Sequence, residues 1–282
     1  MDRVLATEKT NISLESSKRR KRRRKGAEDI EAEVETSDID AQVPSLEESL
    51  TFSDTLVALR IMRAQFPRID KASILPFSLR SQLYSSVKDR TQVDRELESL
   101  RREKILRIFK LNTGQDDHAI MFLDDYLSQI ERVVKRMEEK TQDGLEVFEW
   151  FKTYVVDIKL EPSISHDELF LHLSHGGKVK DEHISRIINA GLLTRQLIDP
   201  SMYWFAIPNI GSVLKGLSQG RKELLSLLNR RRYKEMMLTP LEKKRLRSSP
   251  LDMRFHLRDL IGSGHLKTVD TPTGIVVRVV KD

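Results

Sequence analysis

Three stretches of the chain follow one pattern: LESLRREKILRI (residues 97–108), ISRIINAGLLTR (residues 184–195) and LRDLIGSGHLKT (residues 257–268). Each has apolar residues at its first position and three and nine positions later, as in an amphipathic helix that leads into a strand. Seven positions after each start stand Lys104, Gly191 and Gly264. Glycine tolerates the left-handed turn just past a helix end, so we expect each helix to stop there.

A strand, a polar turn and a second strand follow each of the three stretches. LRIFK and HAIMFL flank residues 112–116, LLTRQLI and YWFAI flank residues 199–201, and HLKTV and IVVRVV flank residues 270–274. Two short strands around a turn that contains Gly or Pro predict a β-hairpin. Helices followed by a hairpin make a winged helix. The pattern therefore predicts a mainly helical α+β fold with three tandem winged-helix modules.

The start of the chain differs in composition from the rest. Residues 1–50 are rich in Ser, Thr, Glu and Lys and poor in large apolar residues, which is typical of a disordered tail. We therefore predict a disordered tail at residues 1–50, followed by winged-helix modules at residues 51–138, 139–214 and 215–282.

The tail contains eight consecutive basic residues, KRRKRRRK. A run of this length indicates a nuclear localisation signal or a nucleic-acid-binding arm, and we predict nuclear import. The residues of the predicted signal are Lys18, Arg19, Arg20, Lys21, Arg22, Arg23, Arg24 and Lys25.

Composition excludes several classes of site and location. The 282 residues include no cysteine, so disulfides and thiolate metal sites are excluded. No apolar run approaches the roughly 18 residues that a membrane helix needs. We expect a soluble intracellular protein with no membrane partner.

Basic residues are concentrated in one region although the net charge is only +6. Residues 215–258 carry 13 Lys or Arg against four acids, and we predict a helix over residues 214–237, with breaks near Gly216 and Gly220. Such a surface neutralises phosphates and indicates binding to duplex DNA. Tyr233 is the only aromatic residue within this predicted helix, which favours contact with the duplex backbone over stacking on a single strand. The predicted DNA-binding residues are Arg90, Lys215, Arg221, Lys222, Arg230, Arg231, Arg232, Lys234, Arg254 and Arg258.

The three candidate recognition helices carry little information about base sequence. None has the set of Arg, Asn and Gln that strong readout of base edges requires. We therefore predict binding to double-stranded DNA largely without sequence specificity. The mixed charges on the first of these helices, near residues 91–103, suit a protein partner at least as well as DNA.

A kinase is the main enzymatic alternative, because residues 262–281 resemble a glycine-rich loop followed by a strand with a terminal lysine. The third glycine of such a loop would stand at residue 267, which is lysine. The chain also lacks the His-Arg-Asp and Asp-Phe-Gly groups that orient the nucleophile and hold magnesium in protein kinases. We predict no enzymatic activity, no catalytic residues, and neither a metal nor a cofactor.

A more specific resemblance is carried by LRSQLYSSVKDRTQVDRELESLRREKILRIFKL in the first module, INAGLLT and YWFAIPNIG in the second, and FHLRDLIGSGHL in the third. Over about residues 50–280 the chain resembles the family called serine/threonine-protein kinase 19. The resemblance implies a non-catalytic nuclear and chromatin scaffold of three winged helices that binds double-stranded DNA. It also implies a role in transcription-coupled nucleotide excision repair, at stalled RNA polymerase II with the repair factors of that pathway.

Two questions stay open at this point. Tandem winged helices also serve as structural subunits of transcription complexes, which is the alternative to a repair scaffold. The oligomeric state is open as well, with a homodimer as one arrangement.

Overall fold

The computed structural model describes residues 53–69, 73–113, 117–139 and 144–280. Within these ranges the chain forms ten α-helices, one π-helical segment and nine β-strands. None of the described helices is both long and apolar enough to cross a membrane. The tail predicted for residues 1–50 lies outside the described residues.

The first repeat of the fold runs helix, strand, helix, helix, strand, strand. Its elements are α1 (Asp54–Ala64), β1 (Ser78–Leu79), α2 (Arg80–Ser86), α3 (Arg90–Arg102), β2 (Leu106–Lys110) and β3 (His118–Phe122). The strands form an antiparallel sheet in the order β1-β3-β2, so the last strand lies in the centre.

The second repeat follows the first, and helix α4 (Leu123–Glu138) connects the two. The elements of the second repeat are α5 (Glu146–Trp150), the π-helical segment Phe151–Val156, β4 (Ser163–Ser165), α6 (His166–Ser174), α7 (Asp181–Asn189), β5 (Leu193–Arg195) and β6 (Met202–Phe205). The sheet order is β4-β6-β5, again with the last strand in the centre.

The third repeat follows the same path. Its elements are α8 (Gly211–Asn229), β7 (Glu235–Met237), α9 (Leu238–Glu242), α10 (Met253–Gly262), β8 (Leu266–Thr271) and β9 (Gly274–Val279). Its sheet order is β7-β9-β8, and Leu266 pairs with Val279 at the base of the hairpin. All three hairpins predicted from the sequence are therefore present in the described residues.

The helix stops predicted from the repeated pattern are confirmed. Helices α3, α7 and α10 end at Arg102, Asn189 and Gly262. Two residues later the backbone is left-handed in each case, with φ of 57° at Lys104, 77° at Gly191 and 84° at Gly264. Each turn directs the chain into the first strand of a hairpin.

The first and second repeats share a hydrophobic core. Phe109 and Tyr126 pack with ring centroids 4.8 Å apart, in the same cluster of buried side chains as Phe205 of the second sheet. The buried Arg107 guanidinium lies 3.9 Å from the centre of the Phe205 ring and donates a hydrogen bond to the Val156 carbonyl (3.0 Å). Burial lowers the pKa of Arg107 to about 10.

The third repeat is attached to the first through close packing of α10 against α2. Gly262 lies so near the Ser81 carbonyl that a β-carbon at this position would overlap its oxygen. The Ser81 hydroxyl donates to Asp259 Oδ1 (2.6 Å), and Gln82 Nε2 donates to the Phe255 carbonyl (3.0 Å). The first repeat therefore packs against both the second and the third.

A buried histidine lies where α8 and α10 meet. His256 has no exposed surface, and its Nε2 lies 2.8 Å from the Ser249 hydroxyl. Gly220 of α8 faces the imidazole and leaves it room. Burial lowers the pKa of His256 to about 4, and it outweighs the nearby carboxylates of Asp259 and Asp252, which act in the opposite direction.

We expect this histidine to make the fold sensitive to mild acid. The unfolded chain binds a proton at His256 below pH about 6.5, whereas the folded chain does so only near pH 4, so stability falls as the pH drops between these values. Between pH 7 and pH 5 the loss is about 2 kcal/mol. Urea unfolding at the two pH values measures it. In His256→Gln this part of the pH dependence should vanish, and an unchanged dependence would contradict the assignment.

Candidate nucleic-acid interface

The basic run at residues 230–234 begins where helix α8 stops. The helix ends at Asn229, so the prediction that it continues to Met237 is wrong. In the turn that follows, the Lys234 amide donates to the Arg231 carbonyl (3.0 Å) and Lys234 has a φ of 53°. The turn is required because the next residues form β7, which pairs with the central strand β9.

The glycines predicted to break this helix lie inside it without interrupting it. Gly216 and Gly220 are buried within α8, where added β-carbons would overlap Pro250 and His256. The glycines therefore allow the segment before α10, and α10 itself, to approach α8 closely.

The turn at residues 230–234 divides the basic run between two concavities. The first, of about 730 Å³, we call the basic groove. It is lined by Glu223, Ser226, Leu227, Arg230, Arg231, Lys244, Arg245 and Arg247. The second, of about 590 Å³, we call the wing cleft. It is lined by Arg232, Tyr233, Lys234, Lys267, Arg278, Val279 and Val280.

The basic groove has five cationic side chains and one carboxylate. That carboxylate, Glu223, accepts hydrogen bonds from the backbone amides of Arg247 (3.0 and 3.1 Å) and Ser248 (3.0 Å). The hydrogen bond from the Arg247 amide is the largest cause that lowers the pKa of Glu223 below its usual value. Glu223 therefore anchors the segment between α9 and α10 to α8. With five cations and one carboxylate, the groove has a net positive charge.

Arg221 is not part of either concavity. Its Nε donates to Asp259 Oδ2 (2.6 Å), and its Nη1 donates to Asp117 Oδ2 (2.7 Å). Burial alone would lower the pKa of Arg221, but the bonds to these two carboxylates raise it above its usual value. The guanidinium is thus bonded to carboxylates within the protein, where it links α8 to α10 and to the residue before β3, and we expect this structural role in place of the predicted contact with DNA.

The other predicted DNA-binding residues lie on the third repeat, except for Arg90 at the start of α3 in the first repeat. Lys215 and Lys222 are exposed on α8. Arg254 lies 3.8 Å from Glu242, and Arg258 Nη2 donates to Gln65 Oε1 (2.7 Å). Arg90, at the start of α3, donates from Nη2 to the Gly262 carbonyl (3.2 Å). Of the ten predicted residues, the concavities therefore bring together Arg230 with Arg231 in the basic groove, and Arg232 with Lys234 in the wing cleft.

The helices that a winged helix would present to DNA are not basic surfaces. On α3, the exposed Arg102 bonds to Glu98 (2.9 Å) and Asp94 is exposed. On α7, Asp181 and Glu182 are exposed at the start of the helix. Helix α10 is packed against α2. The cations of the groove instead come from the turn after α8 and from the segment before α10.

Five basic residues of these concavities were absent from the predicted set. Lys244, Arg245 and Arg247 line the basic groove, and Lys267 and Arg278 line the wing cleft. The first three could have been found from the basic stretch at residues 243–247, whereas Lys267 and Arg278 stand alone in strands and give no signal. The predicted nuclear localisation signal at residues 18–25 lies outside the described residues.

Comparisons with known proteins place the chain beside one group of proteins. Residues 38–279 match a family model described as inactive serine-threonine protein kinase 19. A Xenopus laevis protein named winged helix repair factor 1 is 32% identical over 224 residues, which cover 79% of this chain and 82% of that protein.

Two further relatives carry the same name. The human one is 31% identical over 219 residues, which cover 76% of this chain and 81% of the relative. The Dictyostelium discoideum one is 26% identical over 276 residues, which cover 86% of this chain and 68% of the relative.

Proposed function

Since this chain belongs to the family described as inactive serine-threonine protein kinase 19, and is a non-enzymatic protein related to repair factors, we propose that it is a DNA-binding scaffold. The proposed ligand is double-stranded DNA, bound largely without sequence specificity. The observation that carries the proposal is the basic groove, where five cations face one carboxylate that is already bonded to backbone amides.

The proposed architecture is three tandem winged helices, at about residues 51–138, 139–214 and 215–282. The repeated order of helices and strands and the repeated sheet order support it. In this arrangement the hairpin of each repeat is the wing. Because α10 is covered by α2, the third module contacts DNA through the groove beside it and leaves the usual recognition helix out of the contact.

The absence of a basic recognition helix supports binding through phosphates. Discrimination among base pairs requires bidentate side chains in the major groove. The exposed face of α3 mixes acids with its arginines, and the start of α7 exposes Asp181 and Glu182. Contacts between the cations of the groove and the phosphates of the DNA backbone give affinity without sequence information.

The proposed process is transcription-coupled nucleotide excision repair in the nucleus, on chromatin, at stalled RNA polymerase II. The name of the relatives supports repair. The mixed surface of α3 in the first repeat suits the protein partners that this process requires. A homodimer stays a prediction, and light scattering of the purified chain would test it.

The proposal is tested by reversing two charges in the basic groove. The variant Arg230→Glu with Arg231→Glu should bind a random duplex about 100-fold more weakly, because two phosphate contacts become repulsive. The slope of log K against log salt should become less negative by about 2. Fluorescence anisotropy across a salt series measures both quantities, and circular dichroism verifies the fold.

A matched charge reversal on another surface controls for net charge. The variant Arg95→Glu with Arg102→Glu changes the total charge equally, but on the exposed face of α3. It should bind duplex within about three-fold of the unmodified protein at physiological salt, where distant charges are screened. Equal losses in the two variants would contradict a localised site in the groove.

A further inference from the structure

The wing cleft combines an exposed aromatic ring with several cations. Tyr233 is 64% exposed, so it is not a core residue. The Arg232 guanidinium lies 5.1 Å from the centre of its ring. The side chains of Val279 and Val280, from the end of the hairpin, complete the apolar part of the lining.

The cations of the cleft are only partly neutralised within the protein. Arg278 Nε donates to Glu235 Oε2 (2.7 Å), which offsets one positive charge. Lys267 stands opposite Arg278 in the β8–β9 register, and Lys234 is exposed at the turn. Four cations therefore meet one carboxylate around an open tyrosine ring.

This combination matches the chemistry of a nucleotide from an unpaired strand. An aromatic ring binds a base by stacking whatever the base identity, and cations beside it bind the phosphates. A base inside a duplex is stacked on its neighbours and cannot reach such a ring. With a single aromatic residue in the cleft, one base is the expected occupant.

The cleft adjoins the basic groove without sharing a residue with it. Arg231 lines the groove and Tyr233 lines the cleft, and two trans peptide units keep their α-carbons within about 7.6 Å of each other. One nucleic acid can therefore occupy both sites, as a duplex in the groove and as an unstacked nucleotide in the cleft.

We propose that the wing cleft binds one unpaired nucleotide beside a duplex held in the basic groove, so that the protein prefers junctions between duplex and single-stranded DNA. The duplex half of this proposal rests on the proposed function, whereas the cleft half rests on Tyr233 and its surrounding cations. Preference for a junction would direct a non-specific DNA-binding protein to opened or unwound DNA.

The test compares the full chain on three DNAs of one sequence: a blunt duplex, the same duplex with a forked single-stranded end, and the single strand alone. The unmodified protein should bind the fork about ten-fold more tightly than the blunt duplex, as expected for one stacked base. Tyr233→Ala should lose this preference and keep its affinity for the blunt duplex. Since Tyr233 is exposed, the substitution leaves the core intact.

A second variant gives a direct signal of stacking. Tyr233→Trp should keep the preference for the fork, and the fork should quench its added tryptophan fluorescence more than the blunt duplex does. Equal affinity of the unmodified protein for fork and blunt duplex would overturn the proposal. Quenching by an acidic phosphopeptide and not by the fork would also overturn it, since the cleft would then be a protein-binding site.

The groove variant separates this proposal from the proposed function. If Arg230→Glu with Arg231→Glu binds blunt duplex normally, the groove is not the duplex site. The part of the proposed function that places duplex DNA in the groove is then wrong. The fork preference that depends on Tyr233 would still be measurable in that case. If instead blunt binding depends on the groove and Tyr233→Ala leaves the fork preference unchanged, only the cleft proposal is wrong.

Discussion

Replacement of Arg221 by alanine is expected to lower the free energy of unfolding by about 3–5 kcal/mol, because it leaves a buried carboxylate without its cation. The Asp259 side chain has no exposed surface, and apart from Arg221 it accepts a hydrogen bond from the Ser81 hydroxyl. Asp117, on the first repeat, would lose the same partner. Urea unfolding followed by circular dichroism measures the change.

The expected loss of stability in Arg221→Ala is large because Arg221 joins three parts of the fold. It is carried by α8, while its two carboxylate partners belong to α10 and to the residue before β3. Asp117 is also held by the Thr113 hydroxyl (2.6 Å). Burial would raise the pKa of Asp117, but the hydrogen bonds from Arg221 and Thr113 lower it below its usual value. The carboxylate thus stays charged in the folded protein.

The neighbouring lysine provides the matched control. Lys222 lies on the same helix and is exposed, so Lys222→Ala should change stability by no more than about 0.5 kcal/mol. The two variants should also separate in DNA binding, since the Lys222 side chain is exposed whereas the Arg221 guanidinium is bonded to two carboxylates. Nearly equal stability of Arg221→Ala and Lys222→Ala would show that the buried ion pairs contribute little.

The parts of the fold that the sequence predicts depend on local chemistry. Helices α3, α7 and α10 stop at a left-handed turn that occupies the same position in each stretch, at Lys104, Gly191 and Gly264. The spacing of the apolar residues is enough to predict that position. The hairpins follow from alternating strands around turns, and both signals lie within 18 consecutive residues. Three copies of a local pattern therefore sufficed to predict the repeated fold.

The parts that the sequence misses depend on distant partners. Residues 225–237 have helical spacing, yet α8 stops at Asn229 because the following residues pair with β9, some forty positions away. Arg221 looks like one more cation of a basic stretch, and its partner Asp117 is 104 positions away. Local patterns identify charged residues, but they do not reveal which charges are buried together.

Of the two glycines that resemble a kinase loop, one is explained by the local sequence and the other by a contact with a distant residue. Gly264 has a φ of 84° and no atom near the position of a β-carbon, so it is required by backbone conformation, as the repeat predicts. Gly262 has no such φ and is required by its approach to Ser81 of the first repeat, which nothing in the local sequence reveals.

Gly262→Ala is therefore expected to destabilise the protein by about 3 kcal/mol or more, despite the better helix propensity of alanine. The added methyl group would overlap the Ser81 carbonyl, so α10 and α2 must move apart. That movement would stretch the hydrogen bonds from Ser81 to Asp259 and from Gln82 to the Phe255 carbonyl. Urea unfolding gives the free energy, and hydrogen exchange of the α2 backbone amides reports the separation.

The same substitution at another helical glycine is the control. Gly211, the first residue of α8, has no atom within 4 Å of the position of a β-carbon. Gly211→Ala should thus lie between no change and a gain of about 1 kcal/mol, as expected from helix propensity alone. If Gly262→Ala matched it in stability and in α2 exchange, α10 would not be held against the first repeat and would be free to meet DNA.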